Sequence, residues 1–493
     1  MARCSGILMP LSSLPSPWGI GTMGKSAYKF VDFLHKAGQK YWQLLPLVPT
    51  SCGNSPYSSF STYAGNPNYI DLDRLVSDRL LRKTEVSELD WGDDSAKVDY
   101  DKVNAGREKL LRKAFERGRE KLAAELKAFR SGNFWIEDYA LYMAAKAHFG
   151  MKSWTEWDDR ALRMRQSEAL EKYREELRDE IDYHCFVQML FYKQWEALRE
   201  YAHRNGVQFI GDIPIYVALD SADVWSEPQF FLLDENNLPT LVAGCPPDAF
   251  TDEGQFWGNP LYDWERMRRD GYGWWIRRID GAGKLYDVLR IDHFRGFESY
   301  WAIPADAESA KEGHWMPGPG MGLLSVLRGW FPQMRYIAED LGMLTDAVHA
   351  LVREFGFPGM CVLQFAFDAK GNSDYLPHNC RPGTVCYVGT HDNDTVKGWV
   401  KHSKKEDVAF AEKYMHITPD EGWCWGMIRT GMATGCELFV VPMQDVLELG
   451  GECRMNIPGV AEGNWGWRML PDADTDKAAK KLKEYTVRYR RNA

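Results

Sequence analysis

The sequence predicts an α/β fold, a (β/α)8 TIM barrel with inserted, mainly helical subdomains. Three observations favour this fold class. Short apolar, strand-like runs recur along the chain, several of them end in an acidic residue, and helix-forming segments lie between them. In such a barrel all the parallel strands end at one face, and the catalytic groups lie just past those ends.

The first 50 residues follow the strand, loop, helix, strand pattern that repeats in parallel α/β folds. We predict strands at residues 6–9 and 41–46, with a helix near residues 26–37 between them. Further strand-like runs follow at residues 207–213, 288–292, 336–339, 360–367, 384–389 and 437–442. Together these make eight strands, the number that closes the barrel.

Two segments interrupt this repeat within what we predict to be a single elaborated catalytic domain, residues 1–493. Residues 74–204, approximately, are charge-rich with helical periodicity and few strand signals, which predicts a helical insertion. Residues 244–264, approximately, are rich in Pro, Gly, Asp and aromatic residues, which predicts a long irregular loop at the mouth of the active site. The tail, residues 474–493, is expected to form a closing helix.

Composition and charge narrow the class of function. The chain has 493 residues, of which 45% are hydrophobic and 26% charged, as expected of a soluble globular protein with a large core. Its formal net charge of -10 argues against a nucleic-acid partner, which normally binds a basic face. No apolar run is long enough to predict a membrane span, and no signal peptide is apparent, so we expect a cytoplasmic protein without a membrane partner.

The ten cysteines are scattered between Cys4 and Cys453, without a C-x-x-C pair or a Cys/His cluster at zinc spacing. They indicate neither a metal site nor a disulfide framework, and we expect buried or free thiols in a reducing compartment. The glycine-rich signatures that bind phosphates or dinucleotides are also missing from the sequence. We therefore expect no cofactor and no metal.

Asp292, Glu339 and Asp392 are the candidate catalytic residues, because each closes a strand-like run, and Asp212 closes a further one. Side chains on a strand repeat with a period of two, so Arg290 should lie beside Asp292 and keep its carboxylate ionised. We expect nearby acidic groups, including Asp292, to raise the pKa of Glu339. An ionised nucleophile beside a protonated acid is what retaining glycoside chemistry requires. The alternative for any one of these acids is a helix cap or a surface ion pair.

Several aromatic residues are candidates for sugar contact, because their flat faces suit the apolar faces of sugar rings. Those in polar loops are the better candidates: Tyr57, Phe250, Trp257 and Trp465. Packing in the core is the alternative for each of them. His391, adjacent to a proposed catalytic acid, is expected to contact substrate, whereas a local structural role is the alternative for His391 and His293.

Longer motifs surround these residues: R-I-D-H-F-R-G at 290–296, A-E-D-L-G at 338–342, G-T-H-D-N-D-T at 389–395, S-P-Y at 55–57, G-D-I-P-I-Y at 211–216, G-C-P-P-D at 244–248 and N-I-P-G at 456–459. Together they resemble the motifs of the 4-α-glucanotransferases (amylomaltase or disproportionating enzyme), family 77 of the glycoside hydrolases. The resemblance covers nearly the whole chain. It implies the barrel fold with inserted subdomains that the strand pattern also predicts, and no separate C-terminal β-domain, consistent with the barrel-like sequence that runs almost to the end of the chain.

The resemblance implies retaining transfer of an α-1,4-glucan segment to the 4-hydroxyl of an acceptor glucan or glucose. Its implied partners are α-1,4-glucans, maltooligosaccharides and glucose. Asp292 is then implied as the nucleophile, Glu339 as the acid/base and Asp392 as the transition-state stabiliser, with Arg290 and His391 supporting the reacting glucose.

The resemblance also bears on the outer substrate contacts. It implies that Asp248 contacts the acceptor sugar, and it matches Tyr57 to an aromatic residue of a remote glucan-binding groove. Asp212, Trp257 and Asn464 complete the predicted substrate-binding set. Two alternatives stay open at this point: an α-amylase-like hydrolase with water as acceptor, and a glucan-binding protein without catalysis. The sequence does not predict the oligomeric state.

Overall fold

The computed structural model describes residues 3–247, 253–342, 344–473 and 475–492, and its central element is a sheet of eight parallel strands. The strands of the chain are β1 (Cys4–Leu8), β2 (Tyr41–Gln43), β3 (Gln208–Pro214), β4 (Leu241–Cys245), β5 (Gln255–Pro260), β6 (Val288–Asp292), β7 (Ser299–Pro304), β8 (His314–Pro317), β9 (Arg335–Ala338), β10 (Gly359–Val362), β11 (Thr384–Tyr387) and β12 (Leu438–Pro442). The parallel sheet has the order β10-β11-β12-β1-β2-β3-β6-β9.

The sheet curves until its two outer strands, β9 and β10, meet. The Ala338 N–H in β9 donates to the Pro358 carbonyl just before β10, at 2.9 Å. The Asp340 carboxylate accepts the Met360 N–H in β10 at 2.6 Å, so a side chain continues the closure where the backbone ladder stops. A β-carbon on Gly359 would lie only 2.2 Å from an Asp340 oxygen, and glycine leaves room for this bond.

Helices surround the barrel, and helices also make up most of the long segment between β2 and β3. They are α1 (Lys25–Ala37), α2 (Leu72–Ser77), α3 (Lys83–Ser87), α4 (Tyr100–Gly118), α5 (Ala123–Gly132), α6 (Ile136–His148), α7 (Arg160–Arg163), α8 (Ser167–Glu176), α9 (Arg178–Arg204), α10 (Ala222–Ser226), α11 (Trp264–Arg269), α12 (Gly273–Leu285), α13 (Gly320–Trp330), α14 (Asp346–Phe355), α15 (Val396–His402), α16 (Lys405–Met415), α17 (Gly422–Ala433), α18 (Met443–Val446) and α19 (Thr475–Arg488).

Local sequence explains these elements. β12 reads L-F-V-V-P and is buried throughout, as expected of a strand covered on both faces. α1 buries Phe30, Val31 and Leu34 on one face, and it ends at Gly38, whose φ of 73° is the left-handed conformation that closes many helices. The alternation of such strands and amphipathic helices therefore produces the barrel.

All eight predicted barrel strands are confirmed, within a few residues at their ends. The closing helix near the C-terminus is present as α19, and in the described part of the chain no further strand follows β12. The helices α2 to α9 lie where the sequence predicted an insertion, but the last of them packs against α1 and β3 as a barrel helix would. The limits of the insertion and the single-domain interpretation stay predictions.

The predicted irregular loop at residues 244–264 is wrong in part. β4 and β5 pair antiparallel and join β7 and β8 in a second, four-stranded sheet with the order β5-β4-β7-β8. The strand signal in β5 is weak because it reads Q-F-W-G-N-P, with Gly258 at a φ of 76° and a proline at its end. A bulge between Val242 and Gly244 further hides the period of two.

The cysteines also require a correction. Cys361 in β10 and Cys380 form a disulfide, where the sequence analysis expected free thiols. The segment between β10 and β11 turns back so that the two Cα atoms lie 6.5 Å apart, within the range that a disulfide spans. The remaining free cysteines with described side chains are buried or half-buried. Among the described residues, no helix has both the length and the apolar character that crossing a membrane requires.

Candidate active site

The two central acids lie side by side because their strands are neighbours in the barrel. Asp292 is the last residue of β6, and Glu339 directly follows β9. In the register between these strands Ile291 pairs with Ala338, and the Glu339 N–H donates to the Ile291 carbonyl at 3.0 Å. Neighbouring strands are about 4.8 Å apart. This spacing suits the separation of roughly 5–5.5 Å between the carboxyl groups of retaining glycosidases.

Glu339 is held by two backbone N–H groups. One oxygen accepts from His293 at 2.7 Å and the other accepts from Leu341 at 3.1 Å. Burial, followed by the charge of Asp292, raises the pKa of Glu339 to about 8, with a smaller contribution from Asp340. From the sequence, nearby acidic groups are expected to raise this pKa, and they do, but burial is the larger cause. The carboxyl group is therefore protonated at neutral pH.

His293 contributes its backbone N–H to the binding of Glu339, and its side chain adds no charge to the site. Its φ of 52° is unusual for a residue other than glycine, and such conformations are retained mainly at functional sites. Burial lowers the pKa of His293 to about 4, so its ring is neutral at pH 7. The ring packs edge-on against Trp257, with 4.8 Å between the ring centroids. The conformation thus directs the His293 N–H at Glu339 and brings Trp257 to the site.

Arg290 connects two carboxylates beneath the barrel mouth. Its Nη1 lies 2.9 Å from Asp292 and 2.7 Å from each oxygen of Asp212. The side chains of Arg290 and Asp212 are almost completely buried, whereas that of Asp292 is 31% exposed. The predicted placement of Arg290 beside Asp292 is confirmed. Of the two acids that Arg290 binds, only Asp292 can be reached from the mouth.

We expect Arg290→Met to destabilise the fold by about 3–5 kcal/mol, because it leaves the Asp212 carboxylate buried without its cation. Urea unfolding followed by tryptophan fluorescence measures this loss. The double variant Arg290→Met/Asp212→Asn should regain part of the stability, since no unpaired buried charge remains. A single variant that loses less than about 1 kcal/mol, the range of exposed ion pairs, would contradict this interpretation.

Tyr57 and His391 form one wall of the site. The Tyr57 hydroxyl donates to Asp212 at 2.8 Å and lies 3.4 Å from the His391 Nδ1. The two rings are stacked, with 5.1 Å between their centroids. The assignment of Tyr57 to a remote groove is therefore wrong, because the loop after β2 folds back over the carboxyl ends of the strands. Sugar contact by Tyr57 and His391 stays a prediction.

Asp392 lies on the opposite side of His391, with a 3.3 Å separation between the His391 Nε2 and an Asp392 oxygen. Asn456 donates its side-chain N–H to the Asp392 carboxylate at 2.6 Å, and Arg454 donates to the Asp392 carbonyl at 2.6 Å. The Asp392 side chain is 41% exposed, so one face stays open toward a ligand. The loop after β12 thus positions a residue that follows β11.

The remaining predicted contacts separate into three groups. Trp257 lies at the site beside His293, as described above. Trp465 is buried behind Tyr57, with ring centroids 5.8 Å apart, and its role in the structure is packing. Asn464 uses its amide within its own loop, where it binds the Ile457 N–H and the Val460 carbonyl, and its sugar contact stays a prediction. Asp248 and Phe250 fall outside the described residues.

Three residues that the fold brings to the acids are not predicted as site residues from the sequence. Asn456 belongs to the N-I-P-G motif, which was noticed without a role for its amide, whereas Arg454 lies outside that motif. Tyr375 approaches from the segment between β10 and β11. Burial, followed by the charges of Asp340 and Glu339, raises the pKa of Tyr375 to about 12. No spacing rule links Tyr375 to Glu339, because the two lie on different segments that meet only in the folded barrel.

The chain is similar to proteins of known family over its whole length. A family model described as 4-alpha-glucanotransferase, of glycoside hydrolase family 77, matches residues 9–473. A Clostridium butyricum 4-alpha-glucanotransferase is 45% identical over 486 residues, with 98% of this chain and 100% of the relative covered. A 4-alpha-glucanotransferase from Streptococcus pneumoniae is 46% identical, with 99% and 97% covered. The solved amylomaltase from Streptococcus agalactiae in complex with acarbose matches with a TM-score of 0.97 at 43% identity, covering 99% of each chain.

Proposed function

This chain belongs to the 4-alpha-glucanotransferase family, glycoside hydrolase family 77, and we propose that Asp292, Glu339 and Asp392 carry its reaction. It is a retaining transglycosidase that moves a segment of an α-1,4-glucan to another glucan or to glucose. The observation that carries the assignment of roles is the pair of neighbouring carboxyl groups in unlike surroundings: Asp292 beside a buried guanidinium and Glu339 with a raised pKa.

In the first half of the reaction, the Asp292 carboxylate attacks the anomeric carbon of the donor glucan. Glu339 gives its proton to the departing glycosidic oxygen, and a β-linked glycosyl-enzyme forms. Asp392, held by Asn456, supports the hydroxyl groups of the distorted sugar ring. The raised pKa of Glu339 keeps the necessary proton available at neutral pH.

In the second half, the ionised Glu339 takes the proton from the 4-hydroxyl of an acceptor sugar. That oxygen attacks the anomeric carbon, Asp292 leaves, and the new bond is again α-1,4. Two inversions give net retention. Hydrolysis would use the same residues with water, so transfer requires that the acceptor sugar displaces water from the reacting position.

The surrounding residues supply positioning. Arg290 and Asp212 fix Asp292 from below, and the stacked rings of Tyr57 and His391 form the wall against which we place the reacting glucose. Trp257 offers a half-buried aromatic face at the mouth. Asp248 is retained as a proposed acceptor contact.

Incubation with maltotriose tests the proposed function. A transferase yields glucose and longer maltooligosaccharides while the number of reducing ends stays constant. Rising reducing ends would indicate the α-amylase-like hydrolase, and unchanged maltotriose with retained glucan binding would indicate a protein without catalysis. Chain lengths from chromatography and reducing ends from a colorimetric assay must be followed in the same samples.

The pH dependence should report the acid. Burial and the charge of Asp292 raise the pKa of Glu339 to about 8. The Glu339 carboxyl group therefore stays protonated at pH 7 and loses its proton above about pH 8. We therefore expect kcat/KM to fall about tenfold per pH unit above roughly pH 8. Asp340 also has a pKa that burial raises to about 7, so Asp340→Asn is the matched control: it should keep an alkaline limb, moved slightly to lower pH because Asp340 makes a small contribution to the raised pKa of Glu339. An alkaline limb near pH 4–5, the usual range of glutamic acid, would contradict the assignment.

We propose a cytoplasmic location, supported by the several free, buried cysteine side chains. Two relatives are named as chloroplastic or amyloplastic enzymes of Arabidopsis thaliana and Solanum tuberosum, so location varies within the family. Cell fractionation followed by immunodetection distinguishes the cytoplasm from an organelle or a secreted fraction.

A further inference from the structure

The disulfide between Cys361 and Cys380 has a third cysteine beside it. The sulfur atoms of Cys361, Cys380 and Cys386 all lie within 4.8 Å of one another, and all three residues are buried. The cause is the register of the barrel, in which Cys361 of β10 pairs with Cys386 of β11. A thiol therefore lies close enough to exchange with the disulfide after a small movement.

Cys436 lies just before the start of β12 and places a fourth sulfur next to Cys386. The two thiols hydrogen-bond, and the Thr384 hydroxyl lies 3.0 Å from the Cys436 sulfur. The hydrogen bond from Cys386 lowers the pKa of Cys436 to about 6, whereas burial raises the pKa of Cys386. The lowered pKa of Cys436 favours its thiolate, and a thiolate is the reactive form of cysteine.

The Cys380 end of the disulfide lies nearer the surface than the Cys361 end. Cys380 is 8% exposed and is followed by exposed residues at 381–383, whereas Cys361 is 4% exposed within its strand. A small dithiol thus reaches the sulfur of Cys380 first. Cys361 is the leaving sulfur, and its position beside Cys386 places it next to a hydrogen-bonding partner.

The same disulfide fastens a segment that reaches the catalytic acid. The sulfur atoms of Cys361 and Cys380 lie 3.4 and 3.9 Å from the Tyr375 carbonyl. Met360, the residue before Cys361, donates its N–H to the Asp340 carboxylate at 2.6 Å, and Asp340 directly follows Glu339. The disulfide therefore ties the segment that carries Tyr375 to β10, next to the residue that binds Asp340.

We propose that Cys361, Cys380, Cys386 and Cys436 form a redox-modification site, at which opening of the Cys361–Cys380 bond by a dithiol loosens the segment that carries Tyr375 from β10, beside the catalytic acid Glu339. The inference rests on the proposed role of Glu339 in glucan transfer. Oxidised enzyme is the form with the tightly held segment, and reduced enzyme is the form with the relaxed one.

The chemistry balances with a dithiol as reductant and its cyclic disulfide as product. One thiolate of the dithiol attacks the Cys380 sulfur, the bond to Cys361 breaks, and the electron pair goes to the Cys361 sulfur, which takes a proton. The second thiolate of the dithiol then attacks the mixed disulfide and releases Cys380 as a thiol. Two electrons and two protons pass from the dithiol to the protein.

Mapping of the disulfide tests the site without reference to activity. Full-length protein is equilibrated with oxidised or reduced dithiothreitol, alkylated, digested and analysed by mass spectrometry. We expect a linked peptide pair for Cys361 and Cys380 in the oxidised sample, and free alkylated cysteines in the reduced one. Absence of the linked pair after oxidation overturns the proposal, as does native protein that holds a metal ion on these thiols in place of the bond.

Kinetics test the connection to Glu339. Reduction should lower kcat/KM for maltotriose about fivefold, the lower end of typical couplings between sites. It should also move the alkaline limb to lower pH, because a loosened segment beside Asp340 leaves Glu339 less buried and more hydrated. Cys380→Ser should behave as the reduced enzyme under both conditions, and Cys424→Ser, which removes a buried free thiol in α17, should keep the response.

A linked pair that forms and opens without any change in kcat/KM or in the alkaline limb overturns the connection to catalysis. If Cys380→Ser does not fold, the comparison of oxidised and reduced wild-type protein still decides the question. An inactive wild-type enzyme in both redox states would instead count against the proposed function, while the mapped disulfide would stand.

Discussion

Asp292→Asn is expected to lower kcat for maltotriose disproportionation by roughly ten-thousand- to million-fold, the loss seen when a covalent nucleophile is removed. The amide cannot attack the anomeric carbon, and it has nearly the volume of the carboxylate. Arg290 keeps its two contacts with Asp212, so the site should stay assembled. The measurements are single-turnover and steady-state rates, together with acarbose binding by calorimetry.

Glucan binding should survive in Asp292→Asn, because the walls formed by Tyr57 and His391 do not depend on the lost charge. Asp306→Asn, at an exposed position, is the matched control and should leave both rate and binding unchanged. Retention of more than about 1% of the wild-type rate is far more activity than the loss of a covalent nucleophile leaves, and it would exclude Asp292 from that role.

Glu339→Gln is expected to lower transfer from maltotriose by roughly one-hundred- to ten-thousand-fold, the usual contribution of a general acid and base. The loss should depend on the leaving group. α-Maltotriosyl fluoride needs no proton to depart, so formation of the glycosyl-enzyme should be fast while its breakdown is slow. The observable is an initial burst of fluoride followed by a slow steady state.

Rescue by azide distinguishes a role of Glu339 as general acid and base from a structural role. It attacks the glycosyl-enzyme without needing a base, so it should restore turnover of the fluoride by Glu339→Gln and yield α-maltotriosyl azide. Glu235→Gln, at an exposed position, should show neither the loss nor the rescue. Slow turnover of fluoride and maltotriose alike, with no azide product, would assign Glu339 a structural role.

Much of this architecture follows from local sequence. The barrel strands are short apolar runs bounded by loops, and strands that are buried on both faces give a strong signal. Asp292 and Glu339 could be placed together because the carboxyl ends of parallel strands share one face. The position of Arg290 followed from the period of two along β6. Each of these inferences uses distances along the chain of only a few residues, or a rule of the fold itself.

Contacts between distant segments could not be predicted in this way. Tyr57 reaches Asp212 because the loop after β2 folds inward, and Asn456, in the segment after β12, reaches Asp392, which follows the neighbouring strand β11. Nothing in the spacing of Cys361 and Cys380 specifies their disulfide, which depends on the path of the chain between β10 and β11. Such contacts are properties of the packed structure.

The pKa of Glu339 was likewise predictable from the sequence only in part. The sequence identified acidic neighbours of Glu339, but the largest cause of its raised pKa is burial, which requires the assembled site. The second sheet was missed for a different reason. β5 combines a left-handed Gly258 with a terminal proline, so its pairing with β4 is stabilised by tertiary context and not by intrinsic strand preference.

Identification of the residue that becomes glycosylated tests the central claim most directly. Glu339→Gln is mixed with α-maltotriosyl fluoride, stopped with acid during the fluoride burst, digested and analysed by tandem mass spectrometry. We predict one maltotriosyl group on the peptide that contains residues 288–295, with the ester on Asp292. A maltotriosyl group on Asp392 or on any other residue, or a complete burst with no glycosylated peptide, would contradict the proposed double displacement.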